Sequence, residues 1–122
     1  MFAVIFEVTP TTDGKKEYLE IAAELRKFLT KQKGFISIER FQSLVDENKI
    51  LSLSFWQDEE AIKLWRNVIE HRSAQHLGKT KLFDSYRIRV ANVVRDYTKH
   101  KRCEAPEDSN STLAGYDKSP DL

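Results

Sequence analysis

From the N-terminus, Phe2, Val4, Phe6 and Val8 alternate with Ala3, Ile5, Glu7 and Thr9, the period-two pattern that predicts a β-strand. TTDG follows as a turn, with Thr12 or Asp13 as the candidate cap of a helix. Tyr18, Ile21, Ala22, Leu25, Phe28 and Leu29 then recur between charged positions at helical spacing, so an amphipathic helix with one buried stripe is expected, ended by Gly34. FISIERFQSL and KILSLSFW read as two strands around VDEN, whose polar residues suit a hairpin turn and make the pair antiparallel. Asp58 is placed to cap a second helix, with Glu59 and Glu60 in its first turn, where the helix dipole favours negative charge. Its apolar stripe is Ala61, Ile62, Leu64, Trp65, Val68 and Ile69, and Gly78 can end it. The last strand, YRIRVANVVRDY, sets Ile88, Val90 and Val94 on one side and Arg87, Arg89 and Arg95 on the other.

Strand, helix, strand, strand, helix, strand is the order of an α+β, ferredoxin-like βαββαβ sandwich: an antiparallel sheet with two helices on one face. Alternation assigns Ala3, Ile5, Phe35, Phe41 and Trp56 to the second face, mixed with Ser52, Ser54, Glu7, Glu39, Arg87 and Arg89. Such large apolar groups call for a cover. At about 3.3 Å per residue, the dozen residues of the last strand would run roughly 40 Å, long for a small sheet. Its far end is expected to pair with a second subunit, which makes the chain a homodimer. The folded domain is set at residues 1–98, and 99–122, which lack an apolar period, are expected to form a disordered polar tail.

A chain of 122 residues fits one such domain. Its formal net charge of +1, from 20 Lys+Arg and 19 Asp+Glu, sets up no field suited to nucleic acid or an anionic membrane. The opening MFAVIFEVTP has no basic leader and is closed by Pro10, so neither a signal peptide nor a membrane span is expected, and the expected location is cytoplasmic. The single cysteine, Cys103, lies in a polar stretch with no partner for a disulfide. There is no glycine-rich phosphate loop, no serine elbow and no Cys/His ligand set. His71 and His76 diverge by about 140° around a helix, which disfavours a metal held between them.

The candidate chemistry gathers on the second helix and the first strand. Trp65, mid-stripe, either packs as core or floors a pocket for a flat substrate; Phe6 and Ile69 complete the candidate substrate contacts. His76, three helical turns further on, returns to the Trp65 face, whereas His71 lies nearer the Leu64 and Val68 edge; each is either an ordinary surface or core histidine or a general acid/base. Glu7 interrupts an apolar strand, either paired with an arginine of the last strand in a dimer interface or serving as a pocket carboxylate. His71, His76 and Glu7 are thus the catalytic candidates.

The FWQDEEAIKLW entry into the second helix, its HRSAQHLG end and the arginine-bearing YRIRV strand resemble the antibiotic biosynthesis monooxygenase family of the dimeric α/β barrel superfamily, over about residues 2–98. Trp65 matches the helix tryptophan shared by the family's quinone-forming and haem-degrading branches. The quinone-forming branch's asparagine one turn earlier is Ala61 here, and its later tyrosine is His71. The haem-degrading branch's histidine spacing falls on Gln75, one before His76, and the first strand has no asparagine. The resemblance implies a homodimeric, cofactor-independent monooxygenase that binds a small aromatic or quinol against Trp65 and deprotonates it with a base such as His71. A haem-binding protein, or a non-catalytic dimeric domain holding a small hydrophobic ligand or serving a stress response, is the alternative.

Overall fold

The computed structural model of the chain describes residues 1–77 and 82–113; side chains at 70–77 and 113 lie outside the described residues. The elements are β1 (Phe2–Pro10), α1 (Gly14–Leu29), β2 (Phe35–Gln42), β3 (Ile50–Trp56), α2 (Glu59–Leu77), β4 (Phe83–Asn92) and α3 (Glu107–Leu113). Residues 1–92 form one compact unit, and a second unit begins at Val93. The four strands make one sheet in the order β2-β3-β1-β4, every neighbouring pair antiparallel, which is the α+β ferredoxin-like architecture the pattern predicts. No helix among the described residues is long and apolar enough to cross a membrane.

Local chemistry accounts for the helix starts. Asp58 Oδ1 accepts the Ala61 backbone N–H at 2.8 Å and caps α2. Asp13 occupies the corresponding position of α1 without a side-chain bond; the Thr11 carbonyl instead accepts the N–H groups of Gly14 and Lys15 at 3.0 and 3.2 Å. Gly34, at φ 85°, turns the chain into β2, and its carbonyl accepts the Gln57 N–H at 2.8 Å, tying the start of β2 to the end of β3.

The faces of the sheet differ from the sequence expectation. Ile50, Ser52, Ser54 and Trp56 are the buried positions of β3, and Trp56 packs with Leu29 of α1 and Ala61, Ile62 and Trp65 of α2. Register then puts Phe2, Val4, Phe6 and Val8 of β1 on this helix side and leaves Ala3, Ile5 and Glu7 opposite, beside Phe55, Leu53 and Leu51. Trp56, Ser52 and Ser54 thus face the helices. Phe35 joins them because an irregularity between Phe35 and Ser37 shifts the register of β2. Alternation could not separate the faces because both carry large apolar residues.

Two apolar clusters fill the helix side. One is built on Trp56, Trp65, Leu29, Ala61 and Ile62, and the other on Val8, Tyr18 and Ile50 with Phe6 and Phe83. In the first, the Trp56 and Trp65 rings stack at 6.5 Å and 30°, and Phe35 meets Trp56 edge-on at 5.4 Å.

β4 spans Phe83–Asn92 rather than the twelve residues expected, and it ends where its partner begins, Asn92 opposite Phe2. A strand without a neighbour to bond has no ladder to continue. Of the stretch expected to be disordered, residues 99–113 are described and include the helix α3, while 114–122 lie outside the described residues. Within this second unit Arg102 donates to Asn110 Oδ1 at 2.8 Å, Ser109 Oγ at 3.0 Å and the Thr98 carbonyl at 3.2 Å, and its guanidinium lies 5.0 Å from the Tyr97 ring centroid. A polar web of this kind has no hydrophobic period to read.

A Cβ at Gly34 would stand 2.7 Å from the Ala61 Cβ in a backbone conformation disfavoured for L-residues. Gly34→Ala should therefore lower the unfolding free energy by about 2 kcal/mol or more, measured by urea denaturation; an unchanged midpoint would show that the turn tolerates a side chain.

Candidate functional site

Only Gln57 and Asp58 separate β3 from α2, so the helix doubles back over the sheet as soon as the strand ends. Ala61, Ile62 and Trp65 fall on the stripe that this reversal presses onto the strands, and all three are buried, Trp65 at 9% exposure. Val68 and Ile69, one turn on, are half-buried against the same cluster. Trp65 and Ile69 are thereby brought together. The anchoring depends on a polar detail beneath it: the Trp56 Nε1–H, in a 1% exposed side chain, donates to Ser54 Oγ at 2.9 Å. That bond explains a buried serine amid aromatic residues.

The helices gather over β1, β2 and β3, and they leave most of β4 bare. Tyr86, Ile88 and Val90 share the helix side by register with Val8, Phe6 and Val4, yet they are 64, 55 and 46% exposed. An apolar shelf therefore lies open along β4 on the side where α2 runs. Phe6 borders it, its ring 5.9 Å from Tyr86 and 6.1 Å from Phe83. Phe6 belongs to the second cluster rather than to that of Trp65, so the two substrate candidates share a face without sharing a cluster. This shelf was missed in the sequence because β4 alternates Tyr86, Ile88 and Val90 with arginines, the ordinary pattern of a strand with one buried side. The same layer holds Arg40, opposite Ser52 in the ladder, whose Nε is buried without a hydrogen-bond partner. Arg40 is not legible in the sequence, since the irregularity in β2 hides which of its residues face the helices.

Glu7 lies on the other side of the sheet. Its carboxylate accepts from Arg89 Nη1 at 3.1 Å and pairs with Lys49 Nζ at 3.5 Å. The pairing with an arginine of the last strand is thus present, and the sheet separates this carboxylate from Trp65. One small bound molecule cannot meet both. A cavity of about 290 Å³ opens beside Glu7, lined by Ile5, Phe41, Gln42, Ser43, Lys49 and Leu51.

The side chains of His71 and His76 lie outside the described residues, and their backbones are within α2. His100 belongs to the second unit. Acid–base chemistry by histidine on the helix side of the first unit therefore rests on the last two turns of α2. Among the described residues no group of three or more His, Cys, Asp or Glu could hold a metal ion, and Cys103 is exposed.

Comparison with known proteins adds a lineage to this geometry. The family model described as antibiotic biosynthesis monooxygenase matches residues 1–77. The whole chain aligns, at 39% identity over 127 positions, with a protein of Pyricularia oryzae named "Jasmonate monooxygenase ABM", of which it spans 59%. Among solved structures, a variant of SnoaB from Streptomyces nogalater, a cofactor-independent oxygenase, matches with a TM-score of 0.62 at 14% identity, covering 78% of this chain and 94% of that one. A variant of MhuD with two manganese protoporphyrin IX molecules per active site matches with a TM-score of 0.64 at 17% identity, covering 80% and 99%. At these identities the two structures speak for the fold.

Ser54→Ala should strand the Trp56 indole N–H in the core and cost about 1–3 kcal/mol. Denaturant unfolding reads this directly; a loss near zero would mean that the bond does not help hold the tryptophan.

Proposed function

Since the chain belongs to the antibiotic biosynthesis monooxygenase family, we propose that it is a homodimeric oxygenase, working without a bound cofactor, that takes a small ring-bearing substrate on the helix side of its sheet. The observation that carries the reading is the open shelf of Tyr86, Ile88 and Val90, in a chain 39% identical over its length to a protein named a monooxygenase. Phe6 and Val90 supply apolar floor, and α2, with Trp65 and Ile69, supplies the wall. A substrate lying there loses water from one ring face, which strengthens electrostatic effects on its acidic proton.

The chemistry proposed needs little from the protein beyond position and a base. His71 or His76 takes a proton from a ring CH₂ activated by a neighbouring phenol or carbonyl. The resulting carbanion, delocalised as an enolate or phenolate, is electron-rich enough to reduce O₂. The CH₂ becomes a carbonyl, one oxygen atom enters the product, and the other leaves as water. A phenol whose keto tautomer carries a ring CH₂ fits this stoichiometry, since the substrate itself is the reductant; a plain quinol instead passes two electrons and two protons to O₂ and leaves as its quinone with hydrogen peroxide. The name of the fungal relative adds jasmonate to the panel of compounds to test. Haem is the second reading, favoured by the fold shared with MhuD and by the place of His76 near the end of α2.

The partner subunit is proposed to cover the other face. Ile5, Leu51, Leu53 and Phe55 are half-buried there and Phe41 is exposed, an apolar surface that suits an interface above about 1,000 Å². Light scattering at low micromolar concentration should give twice 14.2 kDa; the mass of a single chain would contradict the dimer.

Oxygen uptake with jasmonate and with a panel of quinols tests the activity, and the Soret band of added haemin tests the haem reading. Uptake dependent on one of these compounds is the expected result. Silence toward all of them, with a shifted Soret band, would favour the haem protein. Given an active substrate, Ile88→Ser should leave stability nearly unchanged, because the side chain is exposed, while raising KM by roughly tenfold through lost apolar contact. Trp65→Phe should cost about 1 kcal/mol of stability and also weaken binding. If His71 is the base, His71→Ala lowers kcat by about 10² or more; undiminished turnover would pass that role to His76.

A further inference from the structure

The hairpin between β2 and β3 presents two apolar side chains to water on a firmly built loop. Leu44 and Val45 are 101% and 99% exposed. The loop beneath them is held by many bonds. Gln42 Nε2 donates to the carbonyls of Glu47 and Lys49 at 2.8 and 2.9 Å, and Ser43 Oγ accepts the N–H groups of Val45 and Asp46 at 3.2 and 3.0 Å. The Asp46 side chain accepts from Asn48 N–H at 2.9 Å. A loop so fixed displays its two apolar residues rather than letting them fold back.

The cavity of about 290 Å³ lies just beneath the turn of the same hairpin, where Gln42 and Ser43 face Lys49. Ile5, Leu51 and Phe41 supply its apolar wall, and the charges beside it, Glu7 and Lys49, pair with each other at 3.5 Å. Glu7 is held from its other side by Arg89 at 3.1 Å, so the charges at the rim are tied to one another around an open apolar depression that an apolar side chain can fill. The chain's own Leu44 and Val45 do not fill it, since both stand fully in solvent.

We propose that the Leu44–Val45 tip of one protomer seats in the cavity lined by Ile5, Phe41 and Leu51 of a second copy, and receives that copy's tip in return. A knob and a hole on one chain either close a two-fold pair or propagate into a fibre. Here both lie on one hairpin, so a single two-fold axis beside it satisfies both at once, and the cavity opens on the apolar face assigned to the dimer. The inference rests on that dimer reading and adds where its anchor lies.

The test combines affinity with proximity. Leu44→Ser/Val45→Ser, at positions that make no core contact, should keep the fold and raise the dimer dissociation constant about 100-fold in sedimentation equilibrium. In a Cys103→Ser background, protein carrying Leu44→Cys mixed with protein carrying Leu51→Cys should form disulfide-linked dimers on mild oxidation, and neither should do so alone. A wild-type dimer whose affinity the double serine variant leaves unchanged, or a mixture that does not cross-link, overturns the anchor while leaving the dimer standing. A wild-type monomer overturns both, and assemblies larger than a dimer overturn the reciprocal closure.

Discussion

The stack of Trp56 on Trp65 is the contact on which the rest of the first unit depends. Trp56 ends the inner strand β3, and α2 begins after only Gln57 and Asp58, so the position of the helix over the sheet is set by where these two indoles meet. Ser54 satisfies the buried indole N–H, Asp58 caps the helix at its start, and Gly34 admits the close approach of Ala61. Each of these has a local cost or benefit of a kilocalorie or two, and each acts on the same joint. Because α2 is held over β1, β2 and β3 at this end, the edge strand β4 keeps Tyr86, Ile88 and Val90 uncovered. The anchoring of one helix thus leaves open the surface proposed to take the substrate.

The two faces of the sheet divide the work. The helix side combines aromatic packing with an open apolar shelf, which suits a small organic molecule. The other side combines Ile5, Leu51, Leu53 and Phe55 with the Glu7, Arg89 and Lys49 cluster, which suits a protein partner. An ion pair half open to water contributes little by itself. Enclosed by a second copy, the same charges would fix orientation more than affinity.

Much of this was legible in the sequence. The order of elements followed from periodicities of two and 3.6, and Asp58 could be read as a cap because a short acceptor preceded acidic residues and an apolar stripe. Trp65 and Ile69 followed from that stripe. The sheet faces did not follow, because a strand such as ILSLSFW, with serines turned toward the helices and leucines away, inverts the rule that polar residues mark the exposed side. The irregularity after Phe35 added a second slip. Glu7 was recognisable as an ion-pair candidate, but its separation from Trp65 depends on register, a relation between strands that a single strand does not contain. The end of β4 at Asn92 likewise reflects its neighbour, since β1 begins at Phe2, opposite Asn92. Leu44 reads in sequence as the end of a strand and Val45 as the first residue of the turn, and the two emerge as a displayed pair only once the turn bonds around them are known.

The proposed substrate site lies on the helix side of the sheet. The most direct measurement is a titration of the isotopically labelled protein with jasmonate and with a naphthohydroquinone under anaerobic conditions, following backbone amides and the two tryptophan indole N–H signals by NMR. A compound bound there is expected to move the amides of Ile88 and Val90 and the Trp65 indole, while Phe41, Lys49 and Leu51 stay in place. Shifts confined to Phe41, Lys49 and Leu51, with Ile88, Val90 and both indoles unmoved, would put the ligand on the other face and contradict that placement.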